Sequence, residues 1–137
     1  MKVLVPALVA LALSVGCASE IGDECSANVD CSVNGDRACD TSAPGGYCTI
    51  LDCRANSCPE EAICVAWGEG VGQRTFCMRH CGSGDDCRGG YGCFNPGAYA
   101  ADHAGDPTFR SSEYGVILDA NPAASSFCTQ DWGWQNP

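Results

Sequence analysis

The chain is poor in basic residues. It has a single lysine, Lys2, and six arginines against 17 aspartates and glutamates, which gives a formal net charge of −10. Because the phosphate backbone of a nucleic acid requires a basic protein surface, this charge balance argues against nucleic-acid binding. An acidic surface instead favours solubility and repulsion from other negatively charged surfaces.

The chain also has no apolar run long enough to cross a bilayer. Its longest, residues 3–16, has about 14 residues, whereas a membrane-spanning helix needs roughly 20. This run follows Lys2 and ends in small residues, a pattern typical of a secretory signal peptide. The alternative, a buried N-terminal helix, would not explain why the only lysine stands at position 2.

Large apolar side chains are scarce after residue 16. The remaining 121 residues contain only 15 leucines, isoleucines, valines and phenylalanines, a share that would ordinarily indicate disorder. The same segment contains 12 cysteines between Cys25 and Cys128, and exported domains with thin cores are typically held together by disulfides. Each disulfide contributes about 2–4 kcal/mol. The sequence therefore predicts a small disulfide-rich fold.

These 12 cysteines form three quartets, which indicates an internal repeat. Their spacings are C-x5-C-x7-C-x8-C, C-x4-C-x5-C-x12-C and C-x5-C-x5-C-x34-C. An aromatic residue precedes each fourth cysteine: Tyr47, Phe76 and Phe127. We predict the following organisation: a signal peptide (1–16), a tether (17–24), module 1 (25–52), module 2 (53–80), and module 3 (81–137) with a long loop insertion (94–127).

Each module is expected to contain a short β-hairpin between its third and fourth cysteines. Turn-forming glycines in "APGGY" and "GEGVG" separate β-prone residues in the first two modules. The insertion in module 3 is mostly loop by composition, with one buried or edge strand at "YGVIL", residues 114–118. Little helix is expected apart from the signal peptide, because no apolar periodicity persists over three turns.

The stretch "LSVGC", residues 13–17, resembles the lipobox of bacterial lipoproteins, in which a small residue precedes a cysteine. In that family the cysteine thiol receives diacylglycerol, the signal is cleaved before it, and the new amine is often acylated. Ser14 stands where the family most often has leucine. The resemblance implies that Cys17, the one cysteine outside the three quartets, carries lipid and anchors the protein to a membrane. The alternative is an ordinary secretory signal with Cys17 spare.

The whole chain is similar to cysteine-rich lipoproteins of Gram-negative bacteria. This resemblance implies a lipid-anchored protein of the cell envelope. Ala18, rather than aspartate, follows Cys17, which favours the outer membrane, facing the periplasm or the exterior.

The quartet spacing is also similar to that of colipase-type and dickkopf-type cysteine-rich modules. In that family the first cysteine pairs with the third and the second with the fourth, whereas spacing alone leaves connectivity open. The implied pairs are Cys25–Cys39, Cys31–Cys48, Cys53–Cys64, Cys58–Cys77, Cys81–Cys93 and Cys87–Cys128.

Metal sites are weakly indicated. Structural zinc sites favour C-x2-C to C-x4-C knuckles, and only Cys53–Cys58 and Cys77–Cys81 come close, the latter beside His80. Calcium binding through Asp30 or Asp86, each before a second cysteine, is a further hypothesis, but no carboxylate-rich loop surrounds them. Turn formation by these aspartates, and by Ser57 in module 2, is the simpler interpretation. We predict no metal and no cofactor.

Catalytic signatures are equally sparse. The only histidines, His80 and His103, lie in no nucleophile motif. The adjacent acids Glu60–Glu61 and Asp85–Asp86 could in principle act on glycosides, but neighbouring side chains point in different directions. We therefore predict a protein that is not an enzyme.

Two features are candidates for binding an unidentified protein or glycan. Trp132 and Trp134 lie two residues apart in "DWGWQNP" and, in an extended chain, would present both rings on one side; the alternative is that they cover the thin core of module 3. The insertion contains "TFRSSEYG", which could act as the inhibitory loop of a protease inhibitor. The predicted function is thus non-catalytic binding, adhesion or a structural role, with a protease inhibitor or an envelope enzyme as alternatives.

We expect the mass of the protein from native membranes, alkylated without reduction, to show three features. Residues 1–16 should be absent, an acylglyceryl group should be added at Cys17, and no cysteine should be alkylated, because all 12 others are paired. Intact-mass spectrometry checks this. Alkylated cysteines would contradict the disulfide assignment, and an unmodified Cys17 would contradict lipidation.

Overall fold

The computed structural model describes residues 19–122 and 125–130. Within these ranges the helices are short, and none is long and apolar enough to cross a membrane. They are α1 (Asn28–Cys31), α2 (Pro96–Asp102) and α3 (Ser111–Tyr114). The strands are β1 (Ala38–Cys39), β2 (Cys48–Thr49), β3 (Ala62–Trp67), β4 (Arg74–Arg79), β5 (Tyr91–Phe94), β6 (Val116–Ile117) and β7 (Phe127–Gln130).

The strands form three small antiparallel sheets, ordered β1–β2, β4–β3–β6 and β5–β7. In each sheet the third and fourth cysteines of one quartet lie directly opposite each other across a strand pair. The opposed residues are Cys39 and Cys48, Cys64 and Cys77, and Cys93 and Cys128. The predicted small disulfide-rich fold of short β-hairpins is confirmed.

Opposed cysteines do not bond to each other; each is crosslinked to the loop that precedes its hairpin. Every module holds two disulfides, first cysteine to third and second to fourth, with Cα–Cα distances of 5.3–5.9 Å. The pairs are Cys25–Cys39, Cys31–Cys48, Cys53–Cys64, Cys58–Cys77, Cys81–Cys93 and Cys87–Cys128. This is the order that the family resemblance implies.

The three modules share one core. Buried residues from all of them pack into a single apolar cluster, to which Tyr47 belongs from module 1, Val65 and Met78 from module 2, and Phe94 and Phe127 from module 3. Phe127 is fully buried, and its ring meets Phe94 edge to face at 5.9 Å. The modules are therefore repeats in sequence that pack as one body.

The insertion contains more regular structure than its composition predicts. Helix α2 begins because Pro96 occupies its first turn and the side chain of Asn95 accepts a hydrogen bond from the Ala98 N–H at 2.8 Å. The predicted strand at 114–118 is shorter, and β6 adds to the edge of β3 in module 2. The carboxylate of Asp119 then accepts hydrogen bonds from the backbone N–H groups of Asn56 (2.6 Å) and Cys64 (3.0 Å). The insertion is thus fastened to module 2.

Residues 19–24, which belong to the predicted tether (17–24), are packed against the domain. Ile21 is fully buried in the shared core, and the Gly22 N–H donates to the Cys48 carbonyl at 2.9 Å. Glu20 forms a 2.6 Å salt bridge with Arg79. The packed part of the chain thus includes residues 19–24, and Cys17 and Ala18 lie outside the described residues.

The residue before each second cysteine closes a turn, as expected for these residue types. Asp30 accepts hydrogen bonds from the N–H groups of Ser26 and Ala27, and Asp86 accepts those of Gly82 and Ser83, at 2.8–3.0 Å. These bonds lower the pKa of both carboxyls. In module 2 the Ser57 hydroxyl accepts from the Arg54 N–H in the same way.

We expect Gly46→Ala to destabilise the fold far more than Gly35→Ala. Both glycines have positive φ, +70° and +77°, which costs an L-residue about 1–2 kcal/mol. A Cβ at Gly46 would also lie 1.9 Å from the carbonyl oxygen of Cys25, whereas the space around Gly35 is open. Guanidinium unfolding with disulfides intact should show at least about 2 kcal/mol between the variants. Equal losses would contradict the close approach.

Candidate ligand pocket

A cavity of about 210 Å³ lies where the three modules meet. Its described lining residues come from the loop between β1 and β2, from β2, β3, β4, β5 and β7, and from α3 of the insertion. Six of them are aromatic: Tyr47, Trp67, Phe76, Tyr91, Phe94 and Tyr114. Such a concave, mainly apolar site with a few polar groups has the character of a small-molecule site.

The lining includes residues held immobile by the core. Tyr47, Thr49 and Phe94 are buried, and the Thr49 hydroxyl donates to the Cys77 carbonyl at 2.8 Å. The Tyr47 hydroxyl donates to the Cys128 carbonyl (3.1 Å) and accepts from the Arg79 N–H (3.0 Å). Burial is the main cause that raises the pKa of Tyr47 above its ordinary value. Tyr47 therefore joins all three modules beside the cavity as a neutral phenol.

Half-buried aromatic rings form other parts of the lining. The Trp67 ring meets Phe76 and Phe127 edge to face, each at 5.7 Å between centroids. Tyr114 belongs to a second set of rings in the insertion, 4.9 Å from Tyr99 and 5.3 Å from Phe109. Edge-to-face and stacked packing of this kind fixes ring orientation. The neighbouring rings therefore hold the lining rings of Trp67 and Tyr114 in place.

The polar lining is acidic or neutral. Asp40 is half-buried, and its Oδ1 accepts hydrogen bonds from the Ser42 N–H (3.0 Å) and hydroxyl (2.5 Å). Thr129 and Gln130, from β7, also line the cavity. None of the described lining residues is basic. A bound group would meet aromatic rings, amide and hydroxyl groups, and one carboxylate.

Arg88 lies beside this site without lining it. Its guanidinium carbon is 4.3 Å from the ring centroid of Tyr91 and 5.8 Å from that of Tyr47. It donates to the carbonyl oxygens of Pro44 (3.0 Å) and Gly46. A ring of this site therefore already holds a cation, in the geometry of a cation–π contact.

The sequence did not indicate this pocket, because its residues are distant along the chain. One signal pointed towards it: of the aromatic residues that precede the fourth cysteines, Tyr47 and Phe76 line the cavity. The third, Phe127, packs edge to face on Trp67 and Phe94. The repeat thus delivers one aromatic ring per module to this junction.

The two histidines, for which no catalytic site is predicted, have different surroundings. His80 is exposed, and its backbone N–H donates to the Glu61 carbonyl at 2.9 Å. His103 ends α2, with its Nδ1 2.8 Å from the Tyr99 carbonyl oxygen and its ring against Tyr99 and Phe109. Among the described residues neither histidine forms a hydrogen-bonded pair with a hydroxyl or carboxylate side chain.

One acid of each adjacent pair makes a structural contact, and the other is exposed. Glu61 pairs with Arg37 at 3.1 Å, whereas Glu60 is exposed. Asp86 closes its turn through hydrogen bonds, whereas Asp85 is exposed. Neither pair is among the residues that line the cavity.

The cysteine sulfurs of each module lie close together because its two disulfides are adjacent. In each module three sulfurs lie within 4.8 Å of one another. The cysteines considered for zinc all belong to disulfides: Cys53 bonds to Cys64, Cys58 to Cys77, and Cys81 to Cys93. A disulfide sulfur is not the thiolate that zinc binds.

Of the remaining candidates for lipidation or binding, some lie outside the described residues. These are Cys17, Trp132 and Trp134. The "TFRSSEYG" segment forms α3 over Ser111–Tyr114, and Tyr114 contributes to the pocket. This segment is thus a wall of the cavity and not an extended loop.

We expect Tyr47→Phe to lower the free energy of unfolding by about 1–3 kcal/mol, because the Arg79 N–H and the Cys128 carbonyl would lose a buried partner. Tyr91→Phe is the matched control, since its hydroxyl donates to the Pro44 carbonyl at an exposed site, and should cost less than about 1 kcal/mol. Guanidinium unfolding measures both. Equal effects would contradict the bridging role.

No protein-family model, curated protein or solved structure matches this chain. The resemblances to bacterial lipoproteins and to colipase-type and dickkopf-type modules therefore remain predictions.

Proposed function

We propose that this protein is a lipid-anchored, non-catalytic binding protein of the bacterial cell envelope, and that its ligand site is the aromatic pocket. The observation that carries the proposal is the 210 Å³ cavity lined by six aromatic residues, built jointly by three crosslinked modules. A free protein or glycan partner, or a small molecule, would bind there through ring contacts.

Rigidity supports a binding role. Every hairpin that contributes to the cavity is crosslinked by two disulfides to its own module. The pocket lining includes Tyr47, Thr49 and Phe94, which are buried and packed. A site that is already ordered before binding loses little conformational entropy when a ligand enters.

The chemistry of the cysteines supports an extracytoplasmic location. Twelve paired cysteines in a short chain are typical of an oxidising compartment. The lipobox resemblance at Cys17 supplies the anchor. Because Ser19 and Ile21, a few residues after Cys17 in the sequence, are already in contact with the domain, lipid at Cys17 would hold the pocket close to the membrane surface.

The two alternatives have less support. An enzyme would need a base placed beside a nucleophile or substrate, and neither His80 nor His103 lines the cavity. A protease inhibitor of the kind considered would need an extended exposed loop, and the segment considered is helical at Ser111–Tyr114.

The proposal can be tested with the lipidated protein in polyoxyethylene detergent micelles. Saturation-transfer NMR against saccharides, amino acids and small organic cations should find at least one class that binds. Ala43→Phe, which adds a ring to a lining residue, should abolish that signal, whereas Ala55→Phe on an exposed turn should leave it. Binding that survives Ala43→Phe, or a wild-type protein that binds no probe, would contradict the proposed site.

A further inference from the structure

The geometry points to a small organic cation as the group that the pocket takes, with a quaternary ammonium as the best-fitting chemistry. This inference rests on the proposed function and specifies its ligand. The aromatic lining, the charge and the size of the cavity each support it.

The aromatic surface of the pocket favours a cation. The face of an aromatic ring carries negative electrostatic potential, and several rings around one cation are the usual recognition of quaternary ammonium groups. Six aromatic residues line this cavity, among them Trp67, the ring type that binds cations best. Arg88 already lies 4.3 Å from the centroid of Tyr91. Tyr91 therefore already makes a cation–π contact within the protein itself.

The carboxylate of Asp40 also favours a cation. Its Oδ1 is hydrogen-bonded to Ser42, and within the described ranges Asp40 forms no ion pair with a basic side chain. None of the described lining residues is basic, and the chain carries a net charge of −10. Arg88, beside the site, donates to the carbonyl oxygens of Pro44 and Gly46, so Asp40 is the charged side chain of the described lining. A cation would compensate this carboxylate in a partly apolar environment, where charges interact more strongly than in water.

The size of the cavity and the hydration of the possible cations favour an alkylated ammonium. Pockets for drug-sized ligands usually occupy about 300–1,000 Å³, so 210 Å³ suits a compact group or the end of a larger molecule. Removing a compact, strongly hydrated ion from water is costly, whereas a delocalised or alkylated cation is weakly hydrated. An alkylated ammonium is therefore a better match to the apolar lining than an inorganic ion or a lysine-type amine.

The decisive experiment compares choline with its uncharged carbon isostere, 3,3-dimethyl-1-butanol. The two have the same shape and differ in charge. Titration calorimetry of the lipidated protein in polyoxyethylene micelles should show choline binding at least about tenfold more tightly, as expected for desolvated cation–π and carboxylate contacts. Equal binding, or tighter binding of the alcohol, would overturn the cation inference and leave the pocket as a binding site. If neither probe binds while another class does in the NMR screen, the inference likewise fails and the proposed function stands.

Variants that remove one charge test whether Asp40 interacts directly with the bound cation. Asp40→Asn keeps the oxygen that Ser42 contacts and should weaken choline binding about tenfold without changing binding of the alcohol. Asp85→Asn removes the same charge from an exposed residue that does not line the cavity, and should leave both affinities unchanged. Equal losses in the two variants would indicate only a long-range field and would contradict the direct role of Asp40.

Ring-removing variants provide an independent readout. Tyr114→Leu removes a lining ring, whereas Phe109→Leu removes a ring that stacks on Tyr114 at 5.3 Å but does not line the cavity. Choline binding should fall at least about fivefold in the first variant, and by a clearly smaller factor in the second, in which Tyr114 keeps its ring and loses only a stacking neighbour. The reverse order would overturn the assignment of the cation to this cavity.

Reconstitution distinguishes a lipid headgroup from a free ligand. The lipidated protein is placed in phosphatidylcholine or in phosphatidylglycerol vesicles, and free choline is titrated into each. Loss of choline binding in phosphatidylcholine alone would identify the headgroup as an occupant, and equal binding in both would identify a soluble ligand; either result supports the cation site. Absence of choline binding in phosphatidylglycerol vesicles would contradict it.

Discussion

The crosslink between each hairpin and the loop before it is the constraint on which the structure depends. The third and fourth cysteines of a quartet lie opposite each other on neighbouring strands, yet each bonds to a cysteine upstream. Two crosslinks per module hold strands as short as Ala38–Cys39 and Cys48–Thr49, which could not persist alone because a short isolated hairpin is marginal in water. Disulfides thus perform the stabilisation that a larger apolar core provides elsewhere.

This mode of stabilisation leaves aromatic residues available at the surface of the core. Phe127 fills the centre of the junction, and the Gly115 backbone approaches it so closely that a Cβ there would lie 3.1 Å from the ring. Around this centre, Trp67, Phe76 and Tyr91 are only half-buried. Crosslinked hairpins can hold such rings in place beside a cavity, because the fold does not need to collapse the cavity to be stable.

The same packing joins the N-terminal described residues to the body that holds the proposed site. Ile21 is buried with residues of modules 2 and 3, and Glu20 and Arg79 join the N-terminal segment to β4. The described chain therefore has no flexible spacer between residue 19 and the first module. With lipid at Cys17, the pocket would have a restricted height above the membrane, and its ligands would be those present near that surface.

The sequence by itself determined the class of fold, the three quartets, the turn role of Asp30 and Asp86, and the hairpin of module 2, because cysteine density and turn residues act locally. The order of the disulfides followed from a family resemblance, since spacing does not specify which thiols meet. Only the tertiary structure decided that residues 19–24 are packed and that α3 forms a cavity wall. Only it brought Asp40, Trp67 and Tyr114 to one site. These features depend on contacts between distant segments, and no local pattern of residue types encodes such contacts.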